Sequence, residues 1–527
     1  MPKKENKFFD FGKMKASLLK KKKVKLPKFE VTERGIIELP EGKEIDFKYP
    51  LLHPFAIAHL KYDKTKKELV YNLIEPVLTQ KEKENYDKII ESLLEILDVE
   101  LSSIKKKEEA IKYLEDQISK ILTESGVKIP KKSFLKIMYY IYRNFVGLNE
   151  IEPLMNDPYI EDISCDGTNV PLYIVHRKYG SLKTNIIYSD EKKLQEFIVK
   201  LAERCGRFIS YAEPLLDGSL PDGSRIQASF SKDVTTKGPT FTIRKFVEEP
   251  LSPIDLIKNK TVNSEVLAYL WLAVESGSSI LIGGGAATGK TTFLNALSMF
   301  IPPTAKIVSI EDTRELNLMH ENWIPSVARV GFAKGIGEVT MFDLLKESFR
   351  QSPDYVIVGE VRGKEAYVMF QGMAAGFPAL GTMHAGKVDD IIYRLETPPI
   401  NLSPSLVETL DIVIVMVHAR EKGEAARRIK EIIEIESVDP KTGAARTNKV
   451  YNWLIREDKF EYRGYSWLLQ ELSKLRGVSL DELQKEIAKR KKILEWMEKN
   501  NKTHFKEVAS LLSEYYKNPK EFMKKIK

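Results

Sequence analysis

The chain has 527 residues, 43% of them apolar and 30% charged, with a formal net charge of +8. At roughly 150 residues per domain, that length predicts three or four domains, each able to bury its own core. No stretch reaches the roughly 18 apolar residues that span a bilayer; the apolar run Ile412 to Val417 is strand-length.

The two cysteines, Cys165 and Cys205, form no C-x-x-C pair. Their spacing argues against a disulfide framework or a zinc site and suits a reducing cytoplasm. The N-terminus has no apolar signal core, so no secretion signal is expected. Residues 1–28 hold eleven lysines against Glu5 and Asp10, a net +9, which leaves the rest of the chain near −1. A basic arm on a neutral body is a local sticky segment and not the footprint of a nucleic-acid-coating protein.

Residues 1–30 combine Lys20 to Lys23 with Phe8, Phe9, Phe11, Met14, Leu18 and Leu19. They read either as a disordered basic arm or as a short helix lying on an acidic membrane or partner surface. Residues 31–147 read as a hairpin and a helical bundle. Pro54–Leu60 and Glu68–Ile74 flank a polar Asp63-Lys64-Thr65 turn. Three stretches then repeat at helical spacing: Ile89, Ile90, Leu93, Leu94 and Leu97; Ile111, Leu114, Ile118 and Ile121; Phe134, Met138, Ile141 and Phe145. Without a titratable cluster, the bundle predicts packing or docking.

Residues 148–246 read as an α+β domain, with short β-type runs at Leu172–Val175 and Phe241–Ile243 and turns at Asp166-Gly167 and Asp222-Gly223. Glu248 to Pro253 reads as a linker. Residues 254–425 alternate strand, loop and helix, the pattern of an α/β sheet. Its strands are read at Ser279–Gly283, Lys306–Ile310, Tyr355–Val358, Ala379–Met383 and Ile412–Val417. Residues 426–527 read as a hairpin around Asp439 to Gly443, followed by helices.

The segment Gly284-Gly285-Ala286-Ala287-Thr288-Gly289-Lys290-Thr291, with Thr292 next, matches G-x-x-x-x-G-K-[ST] between a strand and the helix Thr291–Met299. That context supports a P-loop. Glycines let backbone N–H groups close around phosphates, and the helix N-terminus adds positive potential. Lys290 is expected on the β- and γ-phosphates of ATP and Thr291 on Mg²⁺.

Two carboxylate clusters end later strands: Glu311-Asp312-Thr313-Arg314-Glu315 and Gly359-Glu360-Val361-Arg362. Exposed acids are more often solvated surface, but acids at the C-terminal ends of such strands face the ligand crevice. Most P-loop enzymes end the second of these strands with Asp, where this chain has Gly359 and then Glu360. His384 closes the strand Ala379–Met383 and could hydrogen-bond the γ-phosphate or sense its loss. The other six histidines are assigned no role.

The P-loop, the Glu-Asp-x-x-Glu box, the Gly-Glu strand end and Thr382-Met383-His384-Ala385 together resemble the type II/IV secretion ATPase superfamily over about residues 148–425. The resemblance implies a RecA-like P-loop ATPase lobe preceded by a smaller α+β lobe, assembled as a hexameric ring. Carried over, it makes Lys290 and Thr291 the phosphate and Mg²⁺ ligands. Glu315 becomes the general base, supported by Glu311 and Asp312, and Glu360 helps hold Mg²⁺, through water. His384 belongs to the histidine box. The smaller lobe supplies Arg225 and Arg244 to the nucleotide, where a fixed planar cation neutralises charge developing on the γ-phosphate; the bland alternative is that both pair with surface acids.

No tetracysteine insert is present, and Thr313 stands where the bacterial pilus branch has Pro. Phe370 to Ala374, Arg394 to Pro399 and Leu73 to Pro76 resemble archaeal members. The resemblance therefore implies an archaellum or type IV pilus motor. Such a motor works at the cytoplasmic face of the membrane with a polytopic platform protein, and anionic lipid is a candidate contact for residues 1–28. A RecA-like nucleic-acid motor is the competing class, and the near-neutral body without an aromatic-basic platform argues against it. A non-hydrolysing scaffold is a third, opposed by the intact Lys290, Glu315 and Glu360.

Overall fold

The computed structural model describes residues 26–33, 37, 39–42, 44–96, 107–246, 249–329, 337–421 and 424–526. Most of the basic arm read over 1–30 lies outside the described residues. The chain divides into two units, Met1–Phe246 and Val247–Lys527.

The first unit is built on ten strands: β1 (Thr32–Glu33), β2 (Asp46–His53), β3 (Ala56–Asp63), β4 (Glu68–Ile74), β5 (Ile160–Cys165), β6 (Pro171–His176), β7 (Gly180–Ile187), β8 (Leu215–Ser219), β9 (Arg225–Ser229) and β10 (Thr240–Arg244). They form one sheet in the order β1-β2-β3-β4-β7-β6-β5-β10-β9-β8. The predicted hairpin is β3–β4, and a strand unforeseen in the sequence, β2, pairs antiparallel with β3. β4 joins β7 in parallel through Val70 and Tyr71, so the hairpin and the later α+β segment share a single sheet. Asp157, fully buried, fastens this seam: Tyr49 and Tyr71 each donate to its Oδ2 at 2.7 Å and the Tyr159 N–H to its Oδ1 at 2.9 Å. A buried carboxylate holds its charge only with such donors.

The predicted bundle comprises the helices Gln80–Ile96, Lys107–Ser125 and Lys131–Ile141. Ile89, Leu93, Leu114, Ile118, Phe134, Met138 and Ile141 face the core, but Leu94 is 66% exposed, and Leu97 lies outside the described residues. The third helix continues as a π-turn, Tyr142–Val146. Its end is held by Lys200 Nζ on the Asn144 and Gly147 carbonyls at 2.7 and 2.8 Å, and by Arg204 Nη2 on the Val146 carbonyl at 2.8 Å. The extra residue in the turn frees carbonyls that these cations satisfy.

The second unit carries β11 (Ile280–Gly284), β12 (Ile307–Glu311), β13 (Trp323–Val327), β14 (Tyr355–Val358), β15 (Ala379–Met383), β16 (Ile412–Glu421), β17 (Glu424–Val438), β18 (Ala445–Leu454) and β19 (Lys459–Tyr462). The order is β13-β12-β14-β15-β11-β16-β17-β18-β19. β13 through β16 run parallel; β16 to β19 extend the sheet antiparallel. β15 lies between the P-loop strand β11 and β14, the arrangement of a RecA-like α/β lobe.

Successive residues feed opposite cores: Ile280 and Ile282 pack on one face with Trp271 and Phe300, and Leu281 on the other with Val308 and Val356. That alternation explains why these strands read as continuous apolar runs. β17 runs straight across the 425/426 boundary read from the sequence and keeps the C-terminal segment in the same sheet. Its Glu434, 0% exposed, accepts from Tyr269 Oη at 2.7 Å, Asn448 Nδ2 at 2.8 Å, Ser466 Oγ at 2.5 Å and the Trp467 N–H at 2.6 Å. This ties the helix Trp467–Arg476 to the sheet. No helix of the described residues is long and apolar enough to cross a membrane.

Candidate functional site

β11 runs between β15 and β16 with all five residues buried, and the chain turns at its end. A Cβ on Gly283 would lie 2.6 Å from Ile391 Cδ1, and one on Gly284 would lie 2.5 Å from Thr288 Oγ1. Only glycine allows so close an approach. Ala287 (φ 55) and Gly289 (φ 87) adopt left-handed backbone, and Gly289 caps the helix Lys290–Ser298.

A left-handed alanine costs about 1 kcal/mol, and four hydrogen bonds stabilise the turn. Thr288 Oγ1 and Lys290 Nζ donate to the Gly285 carbonyl at 3.0 and 2.8 Å. From the β16–β17 hairpin, His418 Nε2 bonds the Ala286 carbonyl at 2.9 Å and Arg427 Nε donates to the Ala287 carbonyl at 3.0 Å. The loop thus ends on a helix N-terminus, whose free N–H groups suit an anion such as phosphate. Thr291 and Thr292 stand half-buried in the first turn of that helix.

The two acidic clusters end neighbouring strands, β12 and β14. Glu311 is 1% exposed and its Oε1 accepts from the backbone N–H groups of Glu315 and Leu316, at 2.9 and 3.0 Å. Its Oε2 is buried with no partner. Burial pushes the Glu311 carboxyl up to about 7, against those two N–H groups. Glu311 therefore shapes the loop that presents the half-buried Glu315. The same loop is tied to the P-loop helix by the Asn317 N–H on Asn295 Oδ1 at 2.8 Å.

Glu360 accepts from Arg362 Nη2 at 2.5 Å. Burial alone would raise its carboxyl, but Arg362, Lys290 and His384 together hold it below the usual carboxylate range. Burial lowers Lys290 below an ordinary lysine, while Glu360 and Glu315 pull it the other way. Lys290, Glu315, Glu360 and His384 thus share one electrostatic neighbourhood. Behind them, Thr382 Oγ1 donates to the Gly359 carbonyl at 2.6 Å, locking the β14 end to β15. His384 is exposed, and with Gly285, Asp390, Tyr393 and Arg394 it lines a cleft of about 390 Å³.

Arg225 and Arg244 lie in the first unit, where the structure brings them together: they are directly opposite in the β9–β10 ladder. Arg225 also pairs with Asp217, Nη2 to Oδ2 at 3.0 Å, as in the surface-pair alternative.

The histidine reading needs correction. His418 is not idle: it touches the P-loop together with Arg427. The sequence reading ended the strand at Val417, whereas β16 continues to Glu421. Polar residues from His418 onward break the apolar run that marks the strand, so the hairpin arm carries no continuous apolar signal.

A family model of the type II/IV secretion system protein matches residues 147–460. The chain belongs to that family. Among curated relatives of this secretion-family chain is the uncharacterized protein MJ0900 of Methanocaldococcus jannaschii, 37% identical over 503 residues, covering 91% of this chain and 90% of that protein. The type IV secretion system protein PtlH of Bordetella pertussis is 32% identical over 268 residues, 44% of this chain and 78% of that protein. Among solved structures, the VirB11 ATPase of the Brucella suis type IV secretion system is 23% identical, covers 54% of this chain and 95% of that chain, and gives a TM-score of 0.27.

Proposed function

We propose that this chain hydrolyses ATP and, as a hexameric ring, drives assembly of an archaeal type IV pilus-like filament such as the archaellum. The observation that carries the chemistry is the loop itself, which turns through left-handed Ala287 and Gly289 onto the N-terminus of the helix Lys290–Ser298 with Lys290 Nζ folded back on the Gly285 carbonyl. Lys290 binds the β- and γ-phosphates, and the loop N–H groups orient them. Glu315, on a loop fixed by Glu311, takes a proton from the attacking water. His384 faces the γ-phosphate side, and Arg225 and Arg244 neutralise charge on the transferred group.

The donor set fits Mg²⁺: the Thr291 hydroxyl is a hard oxygen ligand of the kind this ion takes, and a Glu360 carboxylate held in its charged form would hold the ion through water. When bound, Mg²⁺ supplies charge neutralisation on the phosphate oxygens. Family membership and the likeness to an M. jannaschii protein support the archaeal filament reading.

The motor stands at the cytoplasmic face of the membrane against a polytopic platform protein, with residues 1–28 as a lipid-facing arm. Clustered lysines gain about 1 kcal/mol each near an anionic surface. The test is phosphate release by the purified full chain with Mg²⁺ and ATP. Turnover that Lys290→Ala abolishes is expected; equal turnover in wild type and variant overturns the reading. Loss of surface filaments on deletion of the gene is the expected cellular result.

A further inference from the structure

We infer that His418 and Arg427 form a brace that holds the P-loop in its phosphate-receptive shape, making the β16–β17 hairpin a positioning element of the nucleotide site. The two residues face each other across the antiparallel ladder, so both side chains leave the same face of the hairpin. They grip consecutive peptide groups: His418 Nε2 at the Ala286 carbonyl, 2.9 Å, and Arg427 Nε at the Ala287 carbonyl, 3.0 Å. A carbonyl oxygen only accepts, so His418 carries its hydrogen on Nε2.

A trans peptide is planar, with its N–H opposite its C=O. Drawing the Ala286 and Ala287 carbonyls toward the hairpin therefore aims the Ala287 and Thr288 N–H groups away from it. These N–H groups belong to the loop proposed to close on phosphate.

The brace also answers a local difficulty. Ala287 has φ 55, a conformation that L residues other than glycine rarely adopt. The contacts holding it include the two made by the hairpin. The Arg427 stem lies over the loop as well, for a Cβ on Gly289 would sit 3.1 Å from Arg427 Cδ. The hairpin is itself anchored: the neighbouring Arg428, 1% exposed, binds Asp458 through Nε and Nη2 at 2.9 and 3.0 Å, and the Ile429 N–H donates to the Thr261 carbonyl at 3.0 Å. A firm strand thus presents two donors to a strained loop. Neither donor belongs to the strand-end motifs from which the site was read.

This inference rests on the ATP reading for its purpose, and its test separates the two. Hydrogen–deuterium exchange is measured on the full chain without nucleotide, in wild type, His418→Ala, Arg427→Ala and the double variant. Amides where the loop enters its helix, among them that of Phe293, which donates to the Gly289 carbonyl at 2.8 Å, are expected to exchange about tenfold faster in each single variant, with the rest of the second unit unchanged. Because both donors restrain one loop, the double variant should fall short of the product of the single effects.

His418→Gln, which returns an N–H near the Nε2 position, should restore slow exchange where His418→Ala does not. Binding of a fluorescent ATP analogue and of ADP should weaken about three- to tenfold in the alanine variants, with the His418→Gln value near wild type. Unchanged exchange in both alanine variants, or faster exchange spread evenly over the whole unit, overturns the brace. A wild-type chain that binds no nucleotide overturns the ATP reading instead, while the exchange difference still decides the brace.

Discussion

Glu311 and Gly359 end neighbouring strands in direct contact: a Cβ placed on Gly359 would lie 3.1 Å from Glu311 Cγ and 3.5 Å from its Cβ. The missing side chain at 359 makes room for a buried glutamate that organises the next loop. The usual strand-end Asp would crowd it with a second carboxylate. Gly359→Ala should lower stability by roughly 1–3 kcal/mol through overpacking, and Gly359→Asp by more. Urea unfolding of the full chain checks this; a Gly359→Asp chain as stable as wild type would show that Glu311 yields freely.

Glu311 gives the chain a distinctive pH response. Its folded carboxyl is raised from 4.5 to about 7. Below about 4.5 it is protonated in both folded and unfolded chains and contributes no difference. Between 4.5 and 7 the folded chain keeps a proton that the unfolded chain has lost, so stability from this group falls as pH rises. Glu311→Gln keeps an oxygen for the Glu315 and Leu316 N–H groups and removes the titration. The variant should match wild type near pH 4.5 and exceed it by up to roughly 3 kcal/mol above pH 7. Thermal melts of both proteins across that range would reveal a flat difference if the burial argument fails.

Glu315 and Glu311 should separate in kinetics. Glu315→Gln is expected to bind an ATP analogue normally and to lose about a hundredfold or more in turnover, because an amide cannot accept the proton from water. Glu311→Gln, which preserves the loop, should stay within about tenfold of wild type at pH 7.5. The opposite ranking would transfer the base role to Glu311.

Arg244 stands between two strands, directly opposite Arg225 on β9 and Asp162 on β5, so a like and an opposite charge act on it together. Replacing Arg244 by Ala should therefore shift the melting temperature little. If the pair serves the γ-phosphate, the same change should cut ATP turnover by about tenfold or more. A loss of stability with normal turnover would make the pair structural.

Much of the second unit was legible because its chemistry is local. A P-loop is eight consecutive residues, and the strands at Tyr355–Val358 and Ala379–Met383 were read to the residue because both faces are buried. The pairing of Arg225 with Arg244 was not legible, since it depends on the register between β9 and β10. The P-loop contacts of His418 and Arg427 were hidden for a related reason. They arise from a hairpin arm whose polar residues break the apolar run, and from a ladder with a register shift at Val415/Met416. β13, the parallel edge strand Trp323–Val327, contains Pro325 and only partly buried or exposed side chains, so no sequence period announces it. The role of Glu434 could not be foreseen, because its four partners come from positions 269, 448, 466 and 467.

That last cluster bears on how such a gene can be shortened over evolutionary time. A stop codon just after β19 would delete Ser466 and Trp467 and leave a buried carboxylate with half its donors. The helices beyond Tyr462 are therefore no dispensable tail. A lineage that trims them has to replace Glu434 in the same stroke, most simply with a neutral or apolar residue, and a shortened relative should carry that replacement at the matching position.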